Sequence, residues 1–257
     1  MPGALFFRLA KDYNVYIRRK TSVRHRNPVP HRRIGLDIFS VERRRKEMNV
    51  RKRSAKDYRV SRWSGGETRE FLLFPEGASY AGRDFLWRVS SATVELAESD
   101  FTPLPDYRRY LTPLSGALKL SQDGGPFRTL GALEVLEFDG GAETKSRGEV
   151  TDFNLMLRKG EAEGGMETAV LRAGDALRLS AFFPKEAEQA ESLLLYCYSG
   201  AAALRQAGKE SVCEVGSYLL LSAETGEAGR LAFTDAEVSA IAENTVLAFA
   251  WMRRCCV

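Results

Sequence analysis

Few side chains in this 257-residue chain combine a reactive group with a position that hides it from water. The stretch from Asp84 to Glu95 carries the first of them. Read with a period of two, it is a strand presenting Trp87, Val89, Ser91 and Thr93 on one face. Arg88, Ser90, Ala92 and Val94 occupy the other. An outer strand normally shows several charges to water; here one arginine shares its face with small residues. Two environments fit. In a small cavity Arg88 supplies a fixed positive charge and Ser90 a hydroxyl donor, whereas at a barrel rim Arg88 meets a carboxylate. Asp152 and Asn154 form a second group, opposite in facing to Phe153, Leu155 and Leu157. Asp152 is expected either to contact a ligand or to neutralise an arginine. Glu70 is expected as an ion-pair partner, as an exposed residue or as a further lining group. Trp63, Phe85 and Trp87 are expected either in the core or as walls of a pocket.

Other chemistries lack their residues. The chain holds only two histidines, His25 and His31, both near its start. A histidine-ligated metal within a downstream barrel and a histidine-based triad are therefore excluded unless that segment folds in. No dense Asp/Glu cluster suggests an oxygen-ligated cation, so no metal and no cofactor is expected. Ser64-Gly65-Gly66 is followed by no helix start or P-loop lysine and reads as a turn. Cys197, Cys213, Cys255 and Cys256 have neither metal-type spacing nor an evident disulfide framework, and a reducing cytoplasm is the expected location.

The net charge of +4 conceals two unlike parts. Residues 1–62 hold 19 Lys/Arg against 5 Asp/Glu, and the remainder holds 19 against 29. Residues 1–47 contain Arg18-Arg19-Lys20 and Arg43-Arg44-Arg45-Lys46, with Pro28 and Pro30 between them and no persistent period. They read as a disordered basic extension, or as translated upstream sequence if the chain starts at Met48. Nucleic acid is expected as a partner only through this arm. No apolar run approaches the roughly 18–20 residues of a membrane span.

The elements that must position these groups are short strands. They are expected at Glu67–Phe74, Phe85–Val94, Leu118–Leu120, Leu133–Phe138, Asp152–Leu157, Thr168–Leu171, Ala176–Phe183, Ser192–Ser199, Ser217–Ser222, Leu231–Phe233 and Ala248–Met252. Turn residues separate them and no long amphipathic helix interrupts, the texture of an all-β sandwich or barrel. Leu111–Leu118 resembles Leu195–Ala202, so the rhythm repeats. The expected fold is two stacked cupin-like jelly-roll barrels, a bicupin, with the first over 48–165 and the second over 166–257. A homodimer is compatible with such barrels, although no exposed edge can be chosen from the sequence.

Several spaced motifs together resemble the HutD/Ves family: Trp63…Gly66-Glu67-Thr68-Arg69-Glu70, Phe74-Pro75, Arg83–Ser90, Phe101…Pro105…Arg109 and Asp152–Met156. The likeness covers roughly Trp63 to Arg158 and extends more faintly beyond; it does not cover the basic extension. It implies a bacterial bicupin of the RmlC-like class without an established enzymatic activity. Some members are encoded with histidine-utilisation genes, where they are thought to bind a pathway intermediate and restrain output; others are described only as stress-induced. Arg88 and Arg109 fall at matched family positions, and two guanidinium groups entering one cavity would bind a carboxylate bidentately. The expected function is non-catalytic binding of a small anionic metabolite, urocanate- or formylglutamate-like, with Arg88, Arg109, Ser90, Asp152, Asn154, Trp63 and Glu70 as the site. The alternatives are a metal-independent enzyme on such an acid, with Asp152 or Glu70 as base, and a cupin without ligand.

Overall fold

The computed structural model describes residues 49–222, 231, 233 and 236–255. The expected extension over 1–47 and the proposed start at Met48 lie outside the described residues. The strands run β1 (Asn49–Arg53), β2 (Arg59–Trp63), β3 (Gly66–Phe74), β4 (Trp87–Val94), β5 (Glu98–Asp100), β6 (Tyr107–Pro113), β7 (Leu118–Gln122), β8 (Arg128–Leu130), β9 (Leu136–Asp139) and β10 (Thr144–Arg147). They continue with β11 (Val150–Arg158), β12 (Ala162–Leu171), β13 (Ala176–Arg178), β14 (Ser192–Ser199), β15 (Ala201–Gln206), β16 (Lys209–Glu214), β17 (Tyr218–Ser222), β18 (Glu237–Ala240) and β19 (Thr245–Arg254).

Each half of the chain builds two facing antiparallel sheets. The first half gives β2-β3-β4-β11-β6-β9 against β5-β10-β7-β8, and the second gives β1-β17-β14-β19-β12 against β13-β18-β15-β16. This is the all-β, double cupin-like arrangement that the strand rhythm predicts. Two details cross the expected division at residue 165. β1 joins the second half's sheet, in register from Asn49↔Ser222 to Arg53↔Tyr218, and β12, which pairs along its length with β19, spans the boundary. The hydrogen bond from Tyr58 Oη to the Gly216 carbonyl and the one from Tyr218 Oη to the Phe71 carbonyl (2.6 Å) tie the halves where the chain passes between them.

The larger sheets stack back to back. Trp87, Val89, Phe153, Leu155 and Leu157 of the first half meet Leu194, Tyr196, Ala248, Ala250 and Met252 of the second in one apolar layer. That layer decides which way every residue on β4 and β11 faces, because a strand's side chains alternate. The bulge between Glu70 and Leu72 extends the rule to β3: Phe71 and Leu72 both turn into the shared layer while Glu70 keeps its register with Ser90.

The strand expected over Ala176–Phe183 ends at Arg178 and becomes a helical turn, Leu179–Phe182, closed by Phe183 N–H donating to the Leu179 carbonyl (3.1 Å). Leu179 and Phe183 thereby bury on one side, a spacing of four that alternation cannot supply. Strand structure expected from Leu133 begins only at Leu136, since Leu133 takes a left-handed backbone (φ 64°). Leu231 and Phe233 are buried core residues outside any strand; the residue between them is not described. Among the described residues no helix is long and apolar enough to cross a membrane.

Candidate functional site

The two barrels have unlike interiors. The second is filled by apolar side chains, including Leu179, Phe183, Leu193, Leu195, Leu219, Val238, Leu247 and Phe249. Cys197 and Cys213 belong to that packing, and burial pushes their thiols up to about 12 and about 11. A thiol kept protonated and out of water is a poor nucleophile. Both are expected to resist alkylation by iodoacetamide in the folded protein and to react on unfolding, with mass spectrometry of the modified peptides as the readout.

The first barrel is layered instead. At one end Val94, Leu111, Leu118, Leu120, Leu136, Phe138 and Val150 pack together; at the other Phe85, Leu104, Tyr107 and Met156 do. Between these caps the inward faces of β3, β4, β6 and β11 carry Glu70, Arg88, Ser90, Arg109, Asp152 and Asn154. Along β11 the order Val150, Asp152, Asn154, Met156 runs through cap, polar layer and cap in a single alternating face. Cross-strand register aligns Glu70, Ser90 and Asn154, and likewise Arg88, Met156 and Arg109.

The two arginines differ in how their charge is met. Arg88 donates from Nε to Glu70 Oε2 (2.7 Å) and from Nη1 to Ser90 Oγ (3.2 Å), and its guanidinium lies 4.4 Å from the centre of the Tyr80 ring. Of the two environments open to Arg88, the structure thus supplies a carboxylate partner inside the barrel. Arg109, only 7% exposed, pairs with no carboxylate among the described residues. Its guanidinium lies against the rings of both Phe101 and Phe138, at 4.9 and 5.2 Å, and Nη1 reaches the Thr102 carbonyl at 3.4 Å. Its Nε has no hydrogen-bond partner among the described residues. Burial lowers its pKa to about 10, opposed by Tyr80 and Asp152, so it remains charged at neutral pH. Gly140 makes this placement possible: a Cβ there would stand 2.6 Å from the Leu104 carbonyl and 3.2 Å from Arg109 Cδ.

Asp152 is 3% exposed. Its Oδ1 accepts from the Ala92 amide (3.0 Å) and from Asn154 Nδ2 (2.6 Å). Asn154 Oδ1 is buried without a donor. Desolvation raises the Asp152 pKa to about 7, although the Ala92 amide, Arg109, Asn154 and Arg88 all favour the carboxylate. The unfolded chain binds this proton only below the ordinary aspartate value of about 3.9. The contribution of Asp152 to stability is therefore fully present below about pH 4 and lost as pH rises through about 7. Asp152→Asn is expected to remove that part of the pH dependence, as read by urea unfolding at pH 5 and pH 8.

Six of the seven residues singled out in the sequence thus share the polar layer or its edge. Trp63 does not: it is 40% exposed on the edge strand β2, its ring lying over Gly65. Exposure makes it a rim residue and not a wall. The sequence reading missed Tyr80, Phe101, Thr102 and Phe138, which surround the arginines from loops and from β9. Tyr80 is held inward by an anchored loop, where Leu86 N–H donates to the Phe74 carbonyl (2.7 Å), and Tyr107 Oη and Arg158 Nη1 both donate to the Arg83 carbonyl at 2.8 and 2.7 Å. No local spacing signals such contacts.

The HutD family profile matches residues 55–241. The fold is similar to that of a conserved protein of unknown function from Pseudomonas aeruginosa PAO1 (21% identity, 79% of this chain and 98% of that one, TM-score 0.65). It is also similar to HutD from Pseudomonas fluorescens SBW25 in a formate condition (20% identity, 81% and 100%, TM-score 0.60). A more distant likeness is to the bacterial pirin YhhW of Escherichia coli in complex with nickel(II) (10% identity, 79% and 98%, TM-score 0.54). The sequence matches no curated protein. The described residues of this chain include no histidine and no group of three or more His, Cys, Asp or Glu side chains placed to hold a metal ion.

Proposed function

The chain belongs to the HutD family, and we propose that its first barrel is a receptor for a small carboxylate, without catalysis. One observation carries the reading. Two buried polar atoms on the same inward-facing layer, the donor Arg109 Nε and the acceptor Asn154 Oδ1, have no partner among the described residues. Buried polar groups are nearly always paired, and an unpaired guanidinium is among the costliest to bury. A ligand with a carboxylate for Arg109 and an N–H for Asn154 would complete both. Urocanate and N-formylglutamate each carry the two groups. Arg88, already neutralised by Glu70, fixes the wall of the site, and Arg109 supplies the free charge. A link to histidine utilisation, through sensing or sequestering an intermediate in the bacterial cytoplasm, agrees with the family and with these two acids. Regulation would then follow occupancy.

The test is a thermal-shift series on the full chain with formate, urocanate, N-formylglutamate and the uncharged amide of each. At a hundred times its Kd a ligand stabilises by about 2.7 kcal/mol, or about 5 °C or more for a chain of this size. Shifts with the acids and none with the amides support the reading; cooperative melting that no acid displaces overturns it. Asp152 Oδ2 accepts no hydrogen bond among the described residues. That free oxygen supports a metal-independent enzyme with Asp152 as base as the second reading, and chromatography of incubated acids for new products decides it.

A further inference from the structure

We propose that the first barrel takes up its carboxylate together with a proton, which Asp152 Oδ2 receives from solvent. The inference rests on the receptor reading above and concerns how the same site balances its charge.

Four charged or titratable groups face Asp152. β6 contributes Arg109, β4 contributes Arg88, β3 contributes Glu70, and the loop between β3 and β4 contributes the Tyr80 phenol. The opposing sheet turns Leu118, Leu120, Thr144 and Ser146 inward, none of them titratable in this range, and leaves Lys119, Lys145 and Arg147 exposed. On β9 the inward residues are Leu136 and Phe138, while Glu137 and Asp139 are exposed. Arg59 shares the face of Glu70 by register but stands exposed on β2. Among the described residues the enclosed layer therefore holds two guanidinium and two carboxylate groups, and it is neutral when Asp152 is ionised.

A carboxylate arriving at Arg109 brings one negative charge into that layer. With Arg88 held by Glu70 at 2.7 Å, Arg109 is left to balance both the ligand and an ionised Asp152, and one guanidinium cannot neutralise two carboxylates. The ligand also takes the field of Arg109, which otherwise favours ionised Asp152. Both effects push in one direction, toward a neutral Asp152. The side chain is built to accept the proton. Oδ1 is fixed by the Ala92 amide and Asn154 Nδ2, and Oδ2 has no donor competing for its lone pairs among the described residues. With its pKa already at about 7, a further rise completes protonation at neutral pH. In the step an O–H bond forms on Oδ2 at the expense of a solvent proton, and no bond of the ligand changes. The layer thus gains one carboxylate charge and one proton, and its net charge is unchanged.

Linkage fixes the sign. Below about pH 7 Asp152 is protonated before and after binding, so affinity is flat; above it, affinity weakens by up to tenfold per pH unit. The experiment is titration calorimetry of the full chain with N-formylglutamate, whose own groups do not titrate between pH 7 and 9. It is run at pH 8 in two buffers of different ionisation enthalpy. Wild type is expected to take up a measurable fraction of a proton per ligand, and Asp152→Asn to take up none, with an affinity that no longer varies with pH. Binding without proton uptake by wild type overturns the inference and leaves the receptor standing. Undiminished uptake by folded Asp152→Asn overturns the assignment to Asp152. Absence of binding at every pH overturns both the receptor reading and this one. Should the variant fail to fold, infrared spectroscopy of wild type replaces it: the carbonyl band of a protonated carboxylic acid is expected to grow when ligand is added, and an unchanged band overturns the inference.

Discussion

Arg109→Met is expected to abolish stabilisation by carboxylates while leaving the ligand-free protein as stable as wild type or more so. Most buried residues do not behave this way, since truncation normally destabilises. Arg109 should, because its charge is buried without a carboxylate partner and its Nε is orphaned. A buried charge carries a desolvation penalty of several kcal/mol, which an apolar side chain of similar volume does not. The cation–π contacts with Phe101 and Phe138 offset part of that gain, at about 0.5–2 kcal/mol each. The ligand-dependent term has the opposite sign, about 2.7 kcal/mol lost at a hundredfold excess over Kd. Melting curves with and without N-formylglutamate separate the two. A variant that loses several kcal/mol without ligand and keeps its shift with ligand would make Arg109 a structural residue.

Glu70→Ala is expected to be the most damaging single substitution in the polar layer. It leaves Arg88 buried beside Ser90 and Tyr80 without the carboxylate that now lies 2.7 Å from its Nε. Breaking a buried pair by removing one partner costs about 3–5 kcal/mol, because the remaining charge keeps its desolvation penalty. Urea unfolding should show the midpoint falling with little change in slope. The double variant Glu70→Ala, Arg88→Met removes both charges and should recover most of the loss. If the double variant is as unstable as the single one, the cost arises from the bulge geometry around Glu70 and not from the charge.

The polar layer was legible in the sequence to the extent that alternation governs it. Arg88 and Ser90 on one face of β4, and Asp152 and Asn154 opposite Phe153 and Leu155 on β11, follow from a period of two once an apolar layer covers the other face. The partner of Arg88 was legible only as an alternative. Glu70 comes into register with Ser90 because a bulge adds a residue at Phe71, and no composition signal marks such an insertion. The setting of Arg109 was not legible. Phe101 and Phe138 approach it from a connecting segment and from a neighbouring strand, and their contact is a product of the closed barrel. Trp63 was misjudged because strand residues at an edge keep the alternation of buried ones without their burial. The passage of β1 into the second sheet was equally hidden, since its partners lie at the far end of the chain.

Arg109 as the anchor for a small carboxylate is tested most directly by a crystal structure of the full chain grown with N-formylglutamate. The account predicts density for a carboxylate about 2.7–3.0 Å from the Arg109 guanidinium, enclosed by β4, β6 and β11. An N–H of the ligand should meet Asn154 Oδ1. Ligand bound only in the second barrel or on the outer surface, with Arg109 Nε still unpartnered, would contradict it.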